Sequence, residues 1–245
     1  MSTTEVFEGD NWKWKALEDY IAYKELHEFV NNEAALNAHL GSYRLDALAP
    51  NLFNEEHTNG LLADKRSAID QAFSHQASLT LISLCTTYEV MLRDFLVHLF
   101  IKSPLKLFDF IGTDQAKGHV SLREVVESES HDQLIERLAC RGASVASKGK
   151  YGQALSRAAS LAGTQVDAKQ IEALNELQTT RNRVVHDRLR GSSGFDEVKW
   201  AHTTVDAAIE AVCEIGVSNE IPGLYTCVRP AKAVEIHGVA ILVPK

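Results

Sequence analysis

The strongest constraint on the fold is a row of apolar residues that recurs every three or four positions in the middle of the chain. Its members are Phe73, Ala77, Leu81, Leu84, Cys85, Tyr88, Met91, Leu92, Phe95 and Leu99. This spacing places them on one broad face of an amphipathic α-helix. We predict that the helix runs from about Asp64 to Phe100 and ends before Pro104. We therefore expect an all-α protein, an antiparallel helical bundle that contains this helix.

Helical spacing recurs in the rest of the chain. The first 45 residues predict one or two helices, with a loose apolar stripe made by Trp14, Leu17, Ile21 and Leu26. Further helices are predicted over residues 121–140, 153–162, 167–190 and 195–216. The sequence RGASVASKGKYGQ before the second of these predicts a loop rich in Gly and Ser. Asp167 is a predicted N-cap, and the short GSSG connection at 191–194 predicts antiparallel packing of the last two helices.

Composition and turn residues divide the chain into three parts. Residues 1–60 hold 11 acidic and four basic side chains and end in LDALAPNLFNEEHTNG, where Pro50, Asn51 and Gly60 mark a boundary. We predict an acidic N-terminal helical extension over 1–60 and a helical bundle over 61–220. Residues 221–245 contain three prolines and the alternating, β-branched stretch AVEIHGVAILV. A short strand-like C-terminal tail is expected there, packed on the bundle or exchanged with a partner.

Several classes of protein have no support in the sequence. The cysteines Cys85, Cys140, Cys213 and Cys227 lie far apart without CxxC spacing, which favours reduced thiols. No apolar run approaches the roughly 20 residues of a membrane span, and the first residues lack the apolar core of a signal peptide. We expect a cytoplasmic protein with no membrane contact. The histidines show no metal-ligand spacing, and P-loop and serine-hydrolase motifs are missing, so we predict no metal and no cofactor.

Basic residues form two local groups on a chain with a net charge of −8. The stretch from Arg137 to Arg157 carries five basic side chains, Lys148 and Lys150 among them, and no acidic one. The second group is Arg181, Arg183, Arg188 and Arg190. Two short patches suit a local anionic ligand better than a long duplex track. The alternative is that both are ordinary solvated surfaces.

Arg181 occupies an unusual position in the stretch RNRVVHDRLRG. At about 100° per residue, it falls in the middle of the apolar stripe formed by Ile171, Leu174, Leu177, Val184, Val185 and Leu189. A guanidinium is costly to bury without an anionic partner. Glu89, at the edge of the apolar face of the long helix, could supply that partner across the bundle. Asn182 and His186, with Thr179 and Asn175, form a polar strip beside the stripe.

The segment Arg181-Asn182-x-x-x-His186 resembles the R-polar-x3-H motif of HEPN (higher eukaryotes and prokaryotes nucleotide-binding) domains. Glu89 within YEVMLRDFL is similar to the acidic position on the second core helix of that family. The resemblance covers roughly residues 64–216, with the long helix, the motif helix and the closing helix in the expected order.

This resemblance implies metal-independent cleavage of single-stranded RNA in a composite site between two copies of the chain. His186 would act as general base or acid, work suited to an imidazole, and Arg181 would bind the scissile phosphate. Asn182 would orient the histidine or the phosphate, and Glu89 would orient Arg181. Arg183, Arg188 and Arg190 would line the cleft. Apart from the resemblance, the glycines and lysines of the loop SKGKYGQ, with Lys148 and Lys150, could bind phosphate, and a flexible solvated loop is the alternative. Only RNA supplies the 2′-hydroxyl nucleophile.

The partners implied are therefore RNA and a second copy, with a possible antitoxin or regulatory protein, in a bacterial toxin or antiphage defence setting. Two alternatives remain open. Arg181 could be one half of a structural salt bridge with Glu89, and a histidine near a helix end often serves only to complement the helix dipole. The whole domain would then be a non-catalytic HEPN-like module that binds a nucleotide or a protein.

Overall fold

The computed structural model describes residues 6–44, 47, 54–111, 120–186 and 194–225, and the backbone of 232–236 and 239–243. These ranges confirm an all-α class. The helices are α1 (Gly9–Asn31), α2 (Glu33–Gly41), α3 (Glu55–Lys102), α4 (Pro104–Ile111), α5 (Leu122–Glu127), α6 (His131–Ala146), α7 (Tyr151–Ala162), α8 (Ala168–His186) and α9 (Phe195–Ser218). In the C-terminal tail, β1 (Lys232–Ile236) pairs antiparallel with β2 (Val239–Val243).

Helix α3 forms the centre of the bundle. Its predicted apolar face is confirmed, because every member from Ala77 to Leu99 is buried and Phe73 is half-buried against the core. Helices α1, α6 and α9 pack along this face. The helix starts nine residues before the predicted Asp64, since the Asn54 side chain accepts a hydrogen bond from the His57 N–H at 2.9 Å and caps it there. Gly60, a predicted boundary, consequently lies inside α3.

The segment after α3 differs from the prediction in three places. Pro104 ends α3 as expected, but it also begins α4, where a proline costs no hydrogen bond. The single helix predicted over 121–140 is two helices, because the hydroxyl of Ser130 caps a new start at α6. The predicted loop RGASVASKGKYGQ is helical up to Ala146. Its small residues permit close packing: a Cβ on Gly142 would lie 2.3 Å from Leu107.

Helix α1 belongs to the same core as the rest of the bundle. Ala16 and Tyr23 are buried in one cluster with the α3 and α9 side chains. The predicted stripe is wrong, since Trp14, Ile21 and Leu26 are 61%, 43% and 39% exposed. A different face of the helix packs inward. The three-part division at residues 60 and 220 stays a prediction.

Two polar contacts join α1 to the bundle. The Trp12 indole N–H donates a hydrogen bond to Asp94 Oδ2 of α3 at 3.2 Å. On the other side, Lys13 Nζ forms an ion pair with Asp206 of α9 at 3.4 Å. Both contacts are partly buried, which makes them stronger than fully exposed pairs. They select the helix face that packs, in preference to the face with the larger apolar side chains.

Aromatic rings line the other end of the α1 interface. The Tyr23 ring stacks on Phe73 at 5.0 Å between centroids, and the His27 ring stacks on Phe195 at 4.1 Å. Tyr20 stacks on His202 of α9 at 4.4 Å. These rings bury a large area at the junction of three helices. The first residue of α9 is therefore held directly by α1.

Cys85 and Cys213 are buried and Cys140 is exposed, and all three thiols are free of disulfide bonds. Cys227 lies outside the residues whose side chains are described. None of the helices in the described ranges is both long enough and apolar enough to cross a membrane.

Helices α7 and α8 approach each other closely at Gly152. A Cβ on Gly152 would lie 2.3 Å from the carbonyl oxygen of Ile171, which cannot move without shifting α8. We expect Gly152→Ala to lower the free energy of unfolding by about 2 kcal/mol, as overpacking does elsewhere. Gly60→Ala is the matched control: open space surrounds Gly60 inside a helix, so alanine should raise stability by about 0.5–1 kcal/mol. Urea unfolding measures both, and equal stability of the two variants would contradict the packing.

The stacked histidine of α9 predicts how stability depends on pH. Burial lowers the pKa of His202 below its ordinary 6.5, and nearby Asp206 only partly offsets this. The unfolded chain therefore binds a proton at this histidine at higher pH than the folded protein, so the contribution of His202 to stability is greatest above about pH 6.5 and falls below it. We expect His202→Gln to remove part of the stability loss between about pH 7.5 and about pH 5.5, measured by urea unfolding. The exposed His131 supplies the control, and an equal effect of His131→Gln would refute the assignment.

Candidate active site

Helix α8 presents the motif residues at its C-terminal end. The Asp167 side chain caps its start, accepting a hydrogen bond from the Lys169 N–H at 3.1 Å, as predicted. Leu174 and Leu177 of the predicted stripe are buried, while Ile171, Val184 and Val185 are half-buried. The stripe is therefore fully covered at Leu174 and Leu177 and only partly covered near the motif. Leu189, Arg188, Arg190 and Gly191 lie outside the described residues.

Arg181 is a half-buried cation whose charge has no partner in the described part of the chain. Its Nε is buried and makes no hydrogen bond. Its Nη1 donates a hydrogen bond to Asn182 Oδ1 at 3.2 Å. No carboxylate of the described residues forms an ion pair with it. Because a buried guanidinium needs an anion, this position is suited to binding one.

The Arg181 side chain turns toward the polar strip of α8. Its acceptor, Asn182, lies one helical turn before His186, and both of these side chains are exposed. On a straight helix Arg181 and His186 point about 140° apart, so the bend toward Asn182 brings the guanidinium closer to the histidine's face. The motif thus presents a cation, an amide and an imidazole on accessible surface.

The carboxylate of Glu89 binds Tyr151 instead of Arg181. The Tyr151 hydroxyl donates a short hydrogen bond to Glu89 Oε1. The ion pair that the sequence suggested between Glu89 and Arg181 is not formed among these side chains. Tyr151, the first residue of α7, reaches Glu89 because a tight loop places it directly over α3.

Tyr151 is held at three points by two other helices. Its hydroxyl is bound to Glu89, and its carbonyl oxygen accepts a hydrogen bond from the Tyr88 hydroxyl at 2.9 Å. Its backbone N–H donates to Gln178 Oε1 of α8 at 3.1 Å. The Tyr88 and Tyr151 rings also pack together at 5.1 Å between centroids. These contacts fix the ring and hydroxyl of Tyr151 between α3 and α8.

The charges of Glu89 and Arg181 act on the same two groups. Burial raises the pKa of the Cys85 thiol to about 12, Glu89 adds to the rise, and Arg181 and Tyr151 offset part of it. Burial and the hydrogen bond to Glu89 also raise the pKa of Tyr151, with Arg181 acting in the opposite direction. Cys85 therefore stays a thiol at neutral pH and is no nucleophile. Glu89 and Arg181 therefore both act on Cys85 and Tyr151, although they form no ion pair with each other.

Hydrogen bonds from α8 bring the basic loop to the motif helix. Gln178 Nε2 donates to the carbonyl oxygen of Gly149 at 3.2 Å, and the Gly152 N–H donates to Asn175 Oδ1 at 3.1 Å. Gly149 has a φ of +106°, which a side chain would strain. The loop between α6 and α7 therefore lies one helical turn from Arg181, and its Lys148 and Lys150 are exposed there.

Arg157 and Arg183, one from each basic group, have structural partners. Arg157 Nη1 donates to the carbonyl oxygens of Ala146 and Lys148, the second at 3.0 Å, and so caps the end of α6. Arg183 forms an ion pair with Glu197 in the first turn of α9. Arg183 still exposes about half of its side chain, so the predicted role in RNA binding would compete with this pair.

The residues that support the site give little periodic signal in the sequence. Asn175 belongs to the predicted polar strip, but its contact with α7 does not follow from spacing. Sequence reasoning misses Tyr151 and Gln178, since their contacts join segments 27 or more positions apart. The sequence offers one hint of this contact. Tyr151 directly follows a loop of Gly and Lys residues and would face the polar strip of α8.

Comparisons with protein families, with curated proteins and with solved structures find no match to this chain. The chemistry of the site therefore follows from its own residues and their geometry.

Gln178 should control the order of the basic loop. It accepts from the Tyr151 N–H and donates to the Gly149 carbonyl, so Gln178→Ala removes both bonds. We expect a loss of about 1–2 kcal/mol in unfolding free energy and faster hydrogen exchange at the Tyr151 amide. The exposed Glu176 on the same helix provides the control, since Glu176→Ala breaks no contact with the loop. Unchanged exchange in Gln178→Ala would show that the loop is ordered without this residue.

Proposed function

We propose that this protein is a metal-independent endoribonuclease that cleaves single-stranded RNA at a site centred on Arg181 and His186. One observation supports the proposal most: Arg181 is a half-buried cation, without an ion-pair partner among the described residues, beside an exposed amide and imidazole. An anion such as a backbone phosphate would satisfy the free guanidinium N–H groups with charge-assisted hydrogen bonds. The resemblance of Arg181-Asn182-x-x-x-His186 to the HEPN motif supplies the reaction class.

Each motif residue has a role in the proposed reaction. His186 removes the proton from a ribose 2′-hydroxyl, whose oxygen attacks the adjacent phosphorus. The 5′-oxygen leaves and takes up a proton, and the products are a 2′,3′-cyclic phosphate and a free 5′-hydroxyl. Arg181 binds the phosphate and stabilises the charge that develops on its oxygens. Asn182, which accepts from Arg181, keeps the guanidinium on the side of His186.

A second copy of the chain completes the proposed site. The half-buried stretch of the α8 stripe around Arg181, Val184 and Val185 is the surface on which two motif helices would meet. In a two-fold dimer each copy brings one His186, so that one imidazole acts as base and the other as acid. Lys148 and Lys150 of each copy would flank the cleft and attract the RNA backbone.

The biological setting proposed is a bacterial toxin or antiphage defence system, with an antitoxin or regulatory protein as partner. This setting follows only from the resemblance. A ribonuclease of this type needs restraint in the cell, and a partner that covers the Arg181 surface would provide it.

The reaction can be tested directly with purified protein. We expect cleavage of a single-stranded RNA in the presence of EDTA, with 2′,3′-cyclic phosphate ends identified by mass spectrometry. His186→Ala should lower the rate at least about 100-fold through loss of general acid–base catalysis, and the same sequence as DNA should not be cut. The exposed His131 is the matched control, and His131→Ala should cut at the wild-type rate.

The non-catalytic alternative gives a different result. If the domain only binds a nucleotide or a protein, the wild-type protein cuts no RNA at any concentration, and His186→Ala binds its ligand as the wild type does. Equal cleavage by the wild type and His186→Ala would also reject the site.

A further inference from the structure

We propose that Tyr151 is a positioning residue that keeps the carboxylate of Glu89 away from Arg181 and so leaves the guanidinium free for a phosphate. This inference rests on the proposed function, since it names how that site stays able to bind an anion. It also changes the part expected of Glu89, whose contact in the structure is with Tyr151.

The hydrogen bond of Glu89 is to Tyr151 and not to Arg181. A carboxylate near a half-buried guanidinium normally forms an ion pair with it, because both groups are satisfied by charge-assisted hydrogen bonds. Glu89 instead accepts a hydrogen bond from the Tyr151 hydroxyl. Arg181 keeps a buried Nε with no partner. The Tyr151 hydroxyl therefore holds the carboxylate of Glu89 in a position where it forms no ion pair with Arg181.

Tyr151 cannot easily leave this position. Its N–H is bound to Gln178 of α8 and its carbonyl oxygen to the Tyr88 hydroxyl of α3. A Cβ on the next residue, Gly152, would contact the α8 backbone, so the start of α7 sits directly on that helix. Gln178 lies one turn before Arg181 on α8. The hydroxyl is thus fixed relative to both the acid and the cation.

Arg181, which has no ion-pair partner among the described residues, is directed toward the exposed side of α8. Its Nη1 is directed to Asn182 on the exposed side of α8. A phosphate that approaches from that side meets the guanidinium together with the exposed Asn182 and His186. If Glu89 were paired with Arg181, the arginine would be drawn toward α3 and its charge would be neutralised. Tyr151 therefore favours the anion-binding arrangement over a structural salt bridge.

The test uses conservative variants of the full chain. Tyr151→Phe keeps the ring, its packing on Tyr88 and both backbone hydrogen bonds, but it frees Glu89. We expect the affinity for a single-stranded RNA with 2′-O-methyl riboses, which cannot be cleaved, to fall by about tenfold as one charge-assisted contact is lost. The double variant Tyr151→Phe with Glu89→Gln should bind within about twofold of the wild type, because glutamine cannot neutralise the arginine. Fluorescence anisotropy measures each affinity.

A structural measurement tests the same role without RNA. In a crystal structure of Tyr151→Phe, a carboxylate oxygen of Glu89 should lie within about 4 Å of the Arg181 guanidinium, the distance of an ion pair. Tyr23→Phe is the matched control, since it removes a buried hydroxyl that has no hydrogen-bond partner and lies on α1. It should change neither the affinity nor the Glu89 position.

The outcomes separate this inference from the proposed function. Rescue by the double variant together with the new ion pair supports the role of Tyr151, even if the protein binds RNA without cutting it, in which case only the nuclease proposal fails. A merely structural tyrosine would give a double variant as weak as Tyr151→Phe. That result, or an unchanged distance between Glu89 and Arg181 in the crystal of Tyr151→Phe, overturns the inference.

Discussion

The buried face of α3 is the constraint on which the rest of the structure depends. Its apolar residues from Ala77 to Phe100 form the one surface in the described ranges that α1, α6 and α9 all cover. Removing apolar surface from water, at about 25 cal/mol per Å², contributes most of the free energy that holds such a bundle together. Tyr88 belongs to this face and Glu89, the next residue, lies at its edge, so the core and the polar cluster are fixed by the same helix. The position of Tyr151 follows from this, because its hydroxyl and its carbonyl oxygen form hydrogen bonds with these two residues.

The polar cluster next to that core contains one carboxylate, one tyrosine hydroxyl and one guanidinium that compete for partners. A direct pair between Glu89 and Arg181 would offset the positive charge of the arginine and use some of its five N–H donors, so less of the guanidinium would be available to a ligand. The structure satisfies Glu89 with the Tyr151 hydroxyl and leaves Arg181 with Asn182. A charge left unpaired in this way costs stability. Such a cost is typical of binding and catalytic sites.

The sequence predicts the helices well where one apolar periodicity extends over many residues. It predicts them poorly where contacts between distant segments decide which helix face packs. The face of α3 follows from spacing alone, as does the N-cap at Asp167. The stripe of α1 does not, because Trp12 and Lys13 select the packed face through contacts with residues about 80 and 200 positions away. The same limit applies to the site. Arg181 is visible as a charge among apolar positions, whereas the contact between Tyr151 and Glu89 depends on how a four-residue loop places α7.

The N-terminal helix has a closer connection to the motif than its acidic composition suggests. The segment between α8 and α9 is bounded on one side by His186 and on the other by Phe195, the first residue of α9. The His27 ring of α1 stacks on Phe195, and Arg183 of α8 pairs with Glu197, two residues after Phe195. The start of α9 is thus held by both α1 and α8. A change in how α1 packs would move the start of α9, and through Glu197 it would act on the helix that carries Arg181. Helix α1 is therefore connected to the motif helix through the start of α9, by the stacking of His27 on Phe195 and the ion pair of Arg183 with Glu197.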